Sequence, residues 1–262
     1  MTPQEIDQLF SLTLTGDYED ERPWEAVSAL RRIGTRDVLE HAAEWCRSGE
    51  PLKRARGAAI LGQLGKTVEH RSNTFPEQSF MAITQLLQSE TEAIPLSSAI
   101  AALGHLDDPR AVRLIVGHFQ NPAQDVRFAV ACALGSFPNH PLAVQTLLTL
   151  TQDPDEDVRN WAVFGLGVQG DVDSAEIRDA LFSRLNDPNE EVREEAIVGL
   201  AKRKDQRVIP ALRDALTTHE SGDSDVRMRI SEAADYMLGI EEESRDWGAV
   251  QYLAALQERF SK

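Results

Sequence analysis

The chain has 262 residues, with 27 Lys or Arg against 43 Asp or Glu and a net charge of −16, which argues against a nucleic-acid backbone or an anionic lipid surface as the main partner. No apolar run reaches the roughly 18 residues of a membrane span, and MTPQEIDQLF lacks the basic start and apolar stretch of a secretory signal. Two cysteines, Cys46 and Cys132, cannot make a disulfide framework, so a helix-rich cytoplasmic protein is expected.

In chain order, MTPQEIDQLFSLTL predicts a first helix, and RPWEAVSALRRIG from Arg22 and KRARGAAILGQLG from Lys53 predict helices in the same frame. KTVEHRSNTFPEQ, near 66–78, reads as a loop insertion. PLSSAIAALGHL and PRAVRLIVGHF follow. Four segments then align without gaps: QDVRFAVACALGSF from Gln124, EDVRNWAVFGLGVQ from Glu156, EEVREEAIVGLAKR from Glu190 and SDVRMRISEAADYM from Ser224. Their valines, Val126, Val158, Val192 and Val226, lie 32, 34 and 34 residues apart. Before each runs another helix-period stretch: PRAVRLIVGHF, PLAVQTLLTLT, SAEIRDALFSRL and QRVIPALRDAL. Asn121-Pro122, Asp153-Pro154, Asp187-Pro188 and Ser221-Gly222 mark the turns inside each pair, where Pro stops one helix without harming the next. A last helix is expected near Asp246–Phe260, closing the stack.

A pair of about 32 residues cannot bury its apolar face alone, so stacked pairs sharing one continuous core are expected. Val158, Ala162 and Leu166 form the core stripe of one helix. The reading is an all-α, right-handed solenoid of about seven helix pairs plus a terminal capping helix, a single domain over 1–262 with its strongest repeats at 108–238.

The pattern Asp-Pro-x-x-(Asp/Glu)-Val-Arg-x-x-Ala-x-x-x-Leu-Gly resembles the HEAT repeat in its bacterial PBS-lyase-like form. DPDEDVRNWAVFGLG and EIRDALFSRLNDPNEEVREEAIVGLAKRKDQRV are similar to YibA-like bacterial HEAT proteins, some encoded beside Rhs polymorphic toxins and regarded as candidate immunity proteins. The resemblance implies a ladder of ion pairs between successive repeats, carried here by Asp125 and Arg127, Asp157 and Arg159, Glu191 and Arg193, and Asp225 and Arg227. It also implies that the valine helices line the concave face.

On that face, offsets of +2, +3, +6 and +10 from the valine should point away from the core. They yield an apolar band of Phe128, Trp161, Phe164, Met228 and Tyr236, with Asn160 beside it and Glu194, Glu195 and Glu232 as its acidic edge. Aromatics at exposed positions suit a binding surface. Residues 151–200 hold thirteen acids against four bases, and the acids at the Asp153–Asp157 and Asp187–Glu195 turns would steer a cationic partner. The earlier repeats show a mixed polar face that includes Trp24, Arg56 and Ser98. Lys53, Arg54 and Arg56, with Lys66 and Arg71, read as a solvated basic helix start.

No Ser/His/Asp set, phosphate loop or Cys-x-x-Cys is present. The six histidines include no i, i+4 pair, and the one His-Glu dipeptide, His219-Glu220, falls far short of the repeated dipeptides that hold iron in HEAT-like hydroxylases. No catalytic residue, cofactor or metal is therefore expected. The function expected is binding of a protein partner, foremost a basic toxin domain sequestered by an immunity-type protein. Alternatives are a general scaffold or assembly subunit, or a lyase-like accessory protein.

Overall fold

The computed structural model describes residues 2–18, 20–218, 224–240 and 247–260, and among these every regular element is helical. Seven helix pairs run along the described residues. They are α1 (Pro3–Leu12) with α2 (Glu21–Ile33), α3 (Arg36–Trp45) with α4 (Pro51–Gly62), α5 (Pro76–Ser89) with α6 (Ala93–His105), and α7 (Ala111–Val116) with α8 (Gln124–Gly135). Then come α9 (Pro141–Leu150) with α10 (Glu156–Phe164), α11 (Ala175–Arg184) with α12 (Glu190–Lys202), and α13 (Ile209–Thr218) with α14 (Ser224–Leu238). The last helix is α15 (Ala249–Phe260). The Ser221-Gly222 turn, the His219-Glu220 dipeptide and Asp246 lie outside the described residues.

Local chemistry sets the helix starts. Thr2 and Glu5 form a reciprocal capping box on α1, which satisfies two otherwise orphaned amides. Pro3, Pro51, Pro76 and Pro141 sit in first turns, where the missing N–H costs nothing. Asp155 accepts the amides of Asp157 and Val158 at the start of α10, and Asn189 accepts that of Val192 at the start of α12.

The helices gather into two compact units, Met1–Phe137 and Pro138–Lys262. In the first, the second helices of each pair pack one on the next, α2 on α4, α4 on α6 and α6 on α8. Gly62 makes this possible, since a Cβ there would come within 2.7 Å of the Ala102 Cα. The segment between α4 and α5 is pinned rather than loose. The buried Asn73 side chain donates to the Leu61 carbonyl (2.7 Å) and accepts the Phe75 amide (2.8 Å).

In the second unit, α10, α12 and α14 stack in the same way, and a Cβ on Gly199 would come within 2.7 Å of the Gly167 Cα. Val158, Ala162 and Leu166 are buried, as are Val192, Ala196 and Leu200. The expected stripe is thus the core, each buried Leu or Val being worth roughly 1.5–3 kcal/mol. After Phe164, α10 widens into one π-type turn, Gly165–Gln169. The buried Arg203 secures this turn by donating to the carbonyls of Leu166, Gly167, Gly170, Val172 and Gly199 at 2.7–3.2 Å.

Candidate functional site

The X-Pro turns repeat one geometry. Each turn residue before Pro, Asn121, Asp153 and Asp187, accepts the backbone amide two residues on through its side chain. This Asx turn leads directly into the next helix. The arginine after each valine then reaches back to its own turn. Arg127, Arg159 and Arg193 each donate Nη1 to the two successive carbonyls of residues 121–122, 153–154 and 187–188, at 2.9–3.2 Å. One residue type at one spacing therefore closes three turns.

The carboxylate side of the ladder differs from expectation. Arg159 meets not Asp157 or Glu191 but the turn residue Asp187, through two bonds of 2.9 Å each. Asp187 also accepts Arg184 Nη1 (3.0 Å) and the Asn189 amide (3.1 Å), and its side chain is fully buried. Burial pushes its carboxyl up, but the bonds from Arg159 and Asn189 outweigh this and hold it below the ordinary aspartate range. Asp125, Asp157, Glu191, Asp225 and Arg227 are exposed. The residue before the valine sits on the outer side of the first helical turn, whereas the turn Asp points under the helix, toward the arginine. The signal for this was present in the repeated Asp-Pro, which the sequence offers as a helix stop, a part of the repeat pattern and a source of acidic charge, but not as the arginine's partner.

In the second unit the expected site residues lie on α10, α12 and α14. Trp161 is 37% exposed, and its ring meets the half-buried Phe164 edge-on, with centroids 5.6 Å apart at 86°. Asn160 is half-buried and donates to Glu191 Oε2 on the next repeat (3.1 Å). Met228 is 61% exposed, and Tyr236 is half-buried with its hydroxyl donating to the exposed Glu232 (2.9 Å). Burial and this carboxylate together push the Tyr236 hydroxyl pKa up. Phe128 is half-buried on α8 of the first unit.

Glu194 and Glu195 do not form a solvent-facing edge, because both are buried on α12. Glu195 lies 2.5 Å from the Arg229 guanidinium. Burial raises its pKa above the ordinary glutamate range, with Arg229 opposing the rise. The small residues that let α10, α12 and α14 close up draw these side chains into the interface. Part of the excess acidity of residues 151–200 is thus spent inside the fold, on Asp187, on the Asp155 cap and on Glu195. What stays exposed at the starts of α10 and α12 is Glu156, Asp157, Glu190 and Glu191. Among the described residues no three His, Cys, Asp or Glu side chains converge as a metal site, and no helix is long and apolar enough to cross a membrane.

A family model for HEAT repeats matches residues 80–167 and 144–235. The chain belongs to the HEAT-repeat family. Within it, the chain is 32% identical over 211 residues to Protein YibA of Escherichia coli strain K12, covering 80% of this chain and 74% of that protein. The X-ray structure of the Escherichia coli YibA protein superposes with a TM-score of 0.70 at 27% identity, over 96% of this chain and 92% of that one. A HEAT-like repeat protein from Thermococcus onnurineus aligns with a TM-score of 0.54 at 19% identity, covering 90% of this chain and 98% of that one. The complex of CpcE and CpcF of phycocyanin lyase from Nostoc gives 0.51 at 15%, covering 97% and 94%. These last two likenesses concern the HEAT fold alone.

Proposed function

We propose that this HEAT protein is a non-catalytic, cytoplasmic binder of a protein partner, and specifically an immunity-type protein that sequesters a basic bacterial toxin domain. The observation that carries the reading is Trp161. It is a large aromatic left 37% exposed on an inner helix, supported from beneath by Phe164, with exposed acids on the adjoining helix starts. An exposed Trp supplies a broad contact at low entropic cost, and the flanking carboxylates would speed encounter with a cationic surface. Occlusion is the mechanism: the partner's working surface is covered by the face that carries Trp161 and Met228, with Tyr236 as a further anchor. No reaction is required of this chain.

The test is coexpression with a basic toxin domain, where the neighbouring genes encode one. The protein should restore growth and copurify with that toxin at one to one. Trp161→Ala should weaken the complex while the helical circular-dichroism signal stays intact. Failure to rescue, with partners of unrelated chemistry captured instead, would identify a general scaffold or assembly subunit. A preparation that carries metal or chromophore would point to an enzyme or lyase-like accessory protein.

A further inference from the structure

One helix of the first unit turns an uncharged stripe outward. In α5, Ser79, Phe80, Ile83, Leu86 and Leu87 are buried. Gln78, Met81, Gln85 and Gln88 are exposed, at the i, i+3, i+7 and i+10 spacing that puts them on one line. At 1.5 Å per residue that line is about 15 Å long. The outward side of such a helix is ordinarily charged, and the chain as a whole carries a net −16. This stripe instead holds three neutral amides and Met81, which is 63% exposed. The three amides make no hydrogen bond to another described residue.

Beside the stripe lies an open groove of about 670 Å³, within the roughly 300–1,000 Å³ of ligand sites. Met81, Gln85 and Gln88 line it from α5, Ala43 and Arg47 from the end of α3 and just beyond, and Arg110 from the start of α7. The nearly buried Phe80 gives it an apolar floor. Its two arginines differ. Arg110 lies 4.3 Å over the Phe80 ring and pairs with Glu77 (2.7 Å) and Asp108 (2.6 Å). These bonds push the Arg110 pKa up and hold both carboxyls below their ordinary range, so its charge is already compensated. Arg47 is exposed and has no ion pair among the described residues.

We propose that this groove docks a short linear segment of a partner protein, one that carries a long apolar side chain and a carboxylate. The apolar side chain lies over Phe80 and against Met81, whose unbranched, polarisable chain adapts to the shape it meets. The glutamine amides, each with donors and an acceptor, pair with the peptide groups of the segment. Arg47 takes the carboxylate through its guanidinium fork; the groove's one uncompensated charge selects for the acid. A second copy of this chain is a poorer occupant, because two bodies of net −16 repel each other, whereas a segment with a single carboxylate feels little of that repulsion. The proposal stands apart from the reading of Trp161.

The chain has four methionines, Met1, Met81, Met228 and Met237, so carbon-13 labelling of the methionine methyl groups gives one NMR signal for each, assigned through Met81→Leu and Met228→Leu. The probes are three acetylated and amidated pentapeptides, Ser-Leu-Ser-Asp-Ser and the same sequence with Asn or Lys in place of Asp, each about 16 Å long when extended. The Asp peptide should move the Met81 signal of the full chain in a saturable way and leave those of Met228 and Met237 in place. The Asn peptide should bind several-fold more weakly, and the Lys peptide more weakly still. Arg47→Gln should erase the preference for Asp over Asn while keeping the weak binding common to both, a change that misfolding would not produce. A Met81 signal unmoved by millimolar peptide overturns the proposal, as does equal binding of the Asp and Asn peptides. A Met81 signal that moves with protein concentration alone also overturns it, because a second copy would then be the occupant.

Discussion

Two buried arginines, one in each unit, are accommodated in opposite ways. In the second, Arg159 lies in a two-bond clasp with Asp187, and Arg184 and the Asn189 amide complete the same carboxylate. In the first, Arg56 is buried just as deeply between two aromatic rings, with backbone carbonyls for two donors and none for Nη1. A buried ion pair is costly to form but far more costly to break, since removing one partner strands the other. Arg159 is therefore committed to holding its repeats in register, as Arg54 is in the first unit through its two bonds to Glu90. Arg56 keeps a buried Nη1 without an acceptor, so its burial rests on aromatic contacts and backbone carbonyls rather than on a carboxylate.

This contrast is open to direct attack. Asp187→Ala should cost about 3–5 kcal/mol of unfolding free energy, because it strands Arg159 and Arg184 as well as the Asn189 amide; a urea midpoint close to wild type would remove the distinction between the two arginines. Trp161→Ala should cost about 2 kcal/mol or more of partner binding while leaving the fold intact, measured by calorimetry on the purified complex. If it unfolds the protein instead, Trp161 belongs to the core and the second unit has no special claim to the partner. Arg56→Met should cost only about 1–2 kcal/mol, the loss of two bonds to carbonyls partly offset by removing an uncompensated buried charge. A loss as large as that of Asp187→Ala would make Arg56 as structural as Arg159.

The smallest effect is on pH dependence within the second unit. The depressed Asp187 pKa contributes stability that is present above the unfolded aspartate range, about pH 3.9, and is lost as pH falls through its folded value. The raised Glu195 pKa has the opposite sign: stability increases as pH falls through its folded value toward the ordinary glutamate range, and is lower above it. Urea midpoints from pH 7 downward should first rise and then fall. Glu195→Gln should flatten the rise and leave the acid-side loss in place.

Much of the fold was legible in the repeat itself. The valine spacing, the Ala and Leu that follow at four and eight residues, and the Asp-Pro turns located the helix pairs from α7 through α12, because a repeated apolar stripe has only one stacking solution. The front of the chain was readable through weaker matches, and its insertion is pinned by Asn73, a single polar side chain whose role no periodicity announces. At the site, Trp161, Met228 and Glu232 lie exposed, as a residue on the outward side of such a helix should. Glu194 and Glu195 occupy the same offsets and are buried, since the depth of an inner-face position depends on how closely its neighbouring helices approach. Arg56, predicted as solvated, is covered by a loop that carries no repeat signal at all.

The sequence by itself determined the family, the all-helical class, the pairing of helices and the core stripe, because these follow from local periodicity and from turn chemistry that each repeat states anew. Only the tertiary structure decided which charges are spent. It matched Arg159 with Asp187, 28 residues away, rather than with the acid beside its own valine, and it drew Glu195 to Arg229. It also folded Tyr18 over Arg56 and onto Ser98, 80 residues along the chain. Those assignments depend on distances between repeats, which a helix period does not encode. Net charge, at −16, is a property of composition; where that charge remains free to meet a partner is a property of packing.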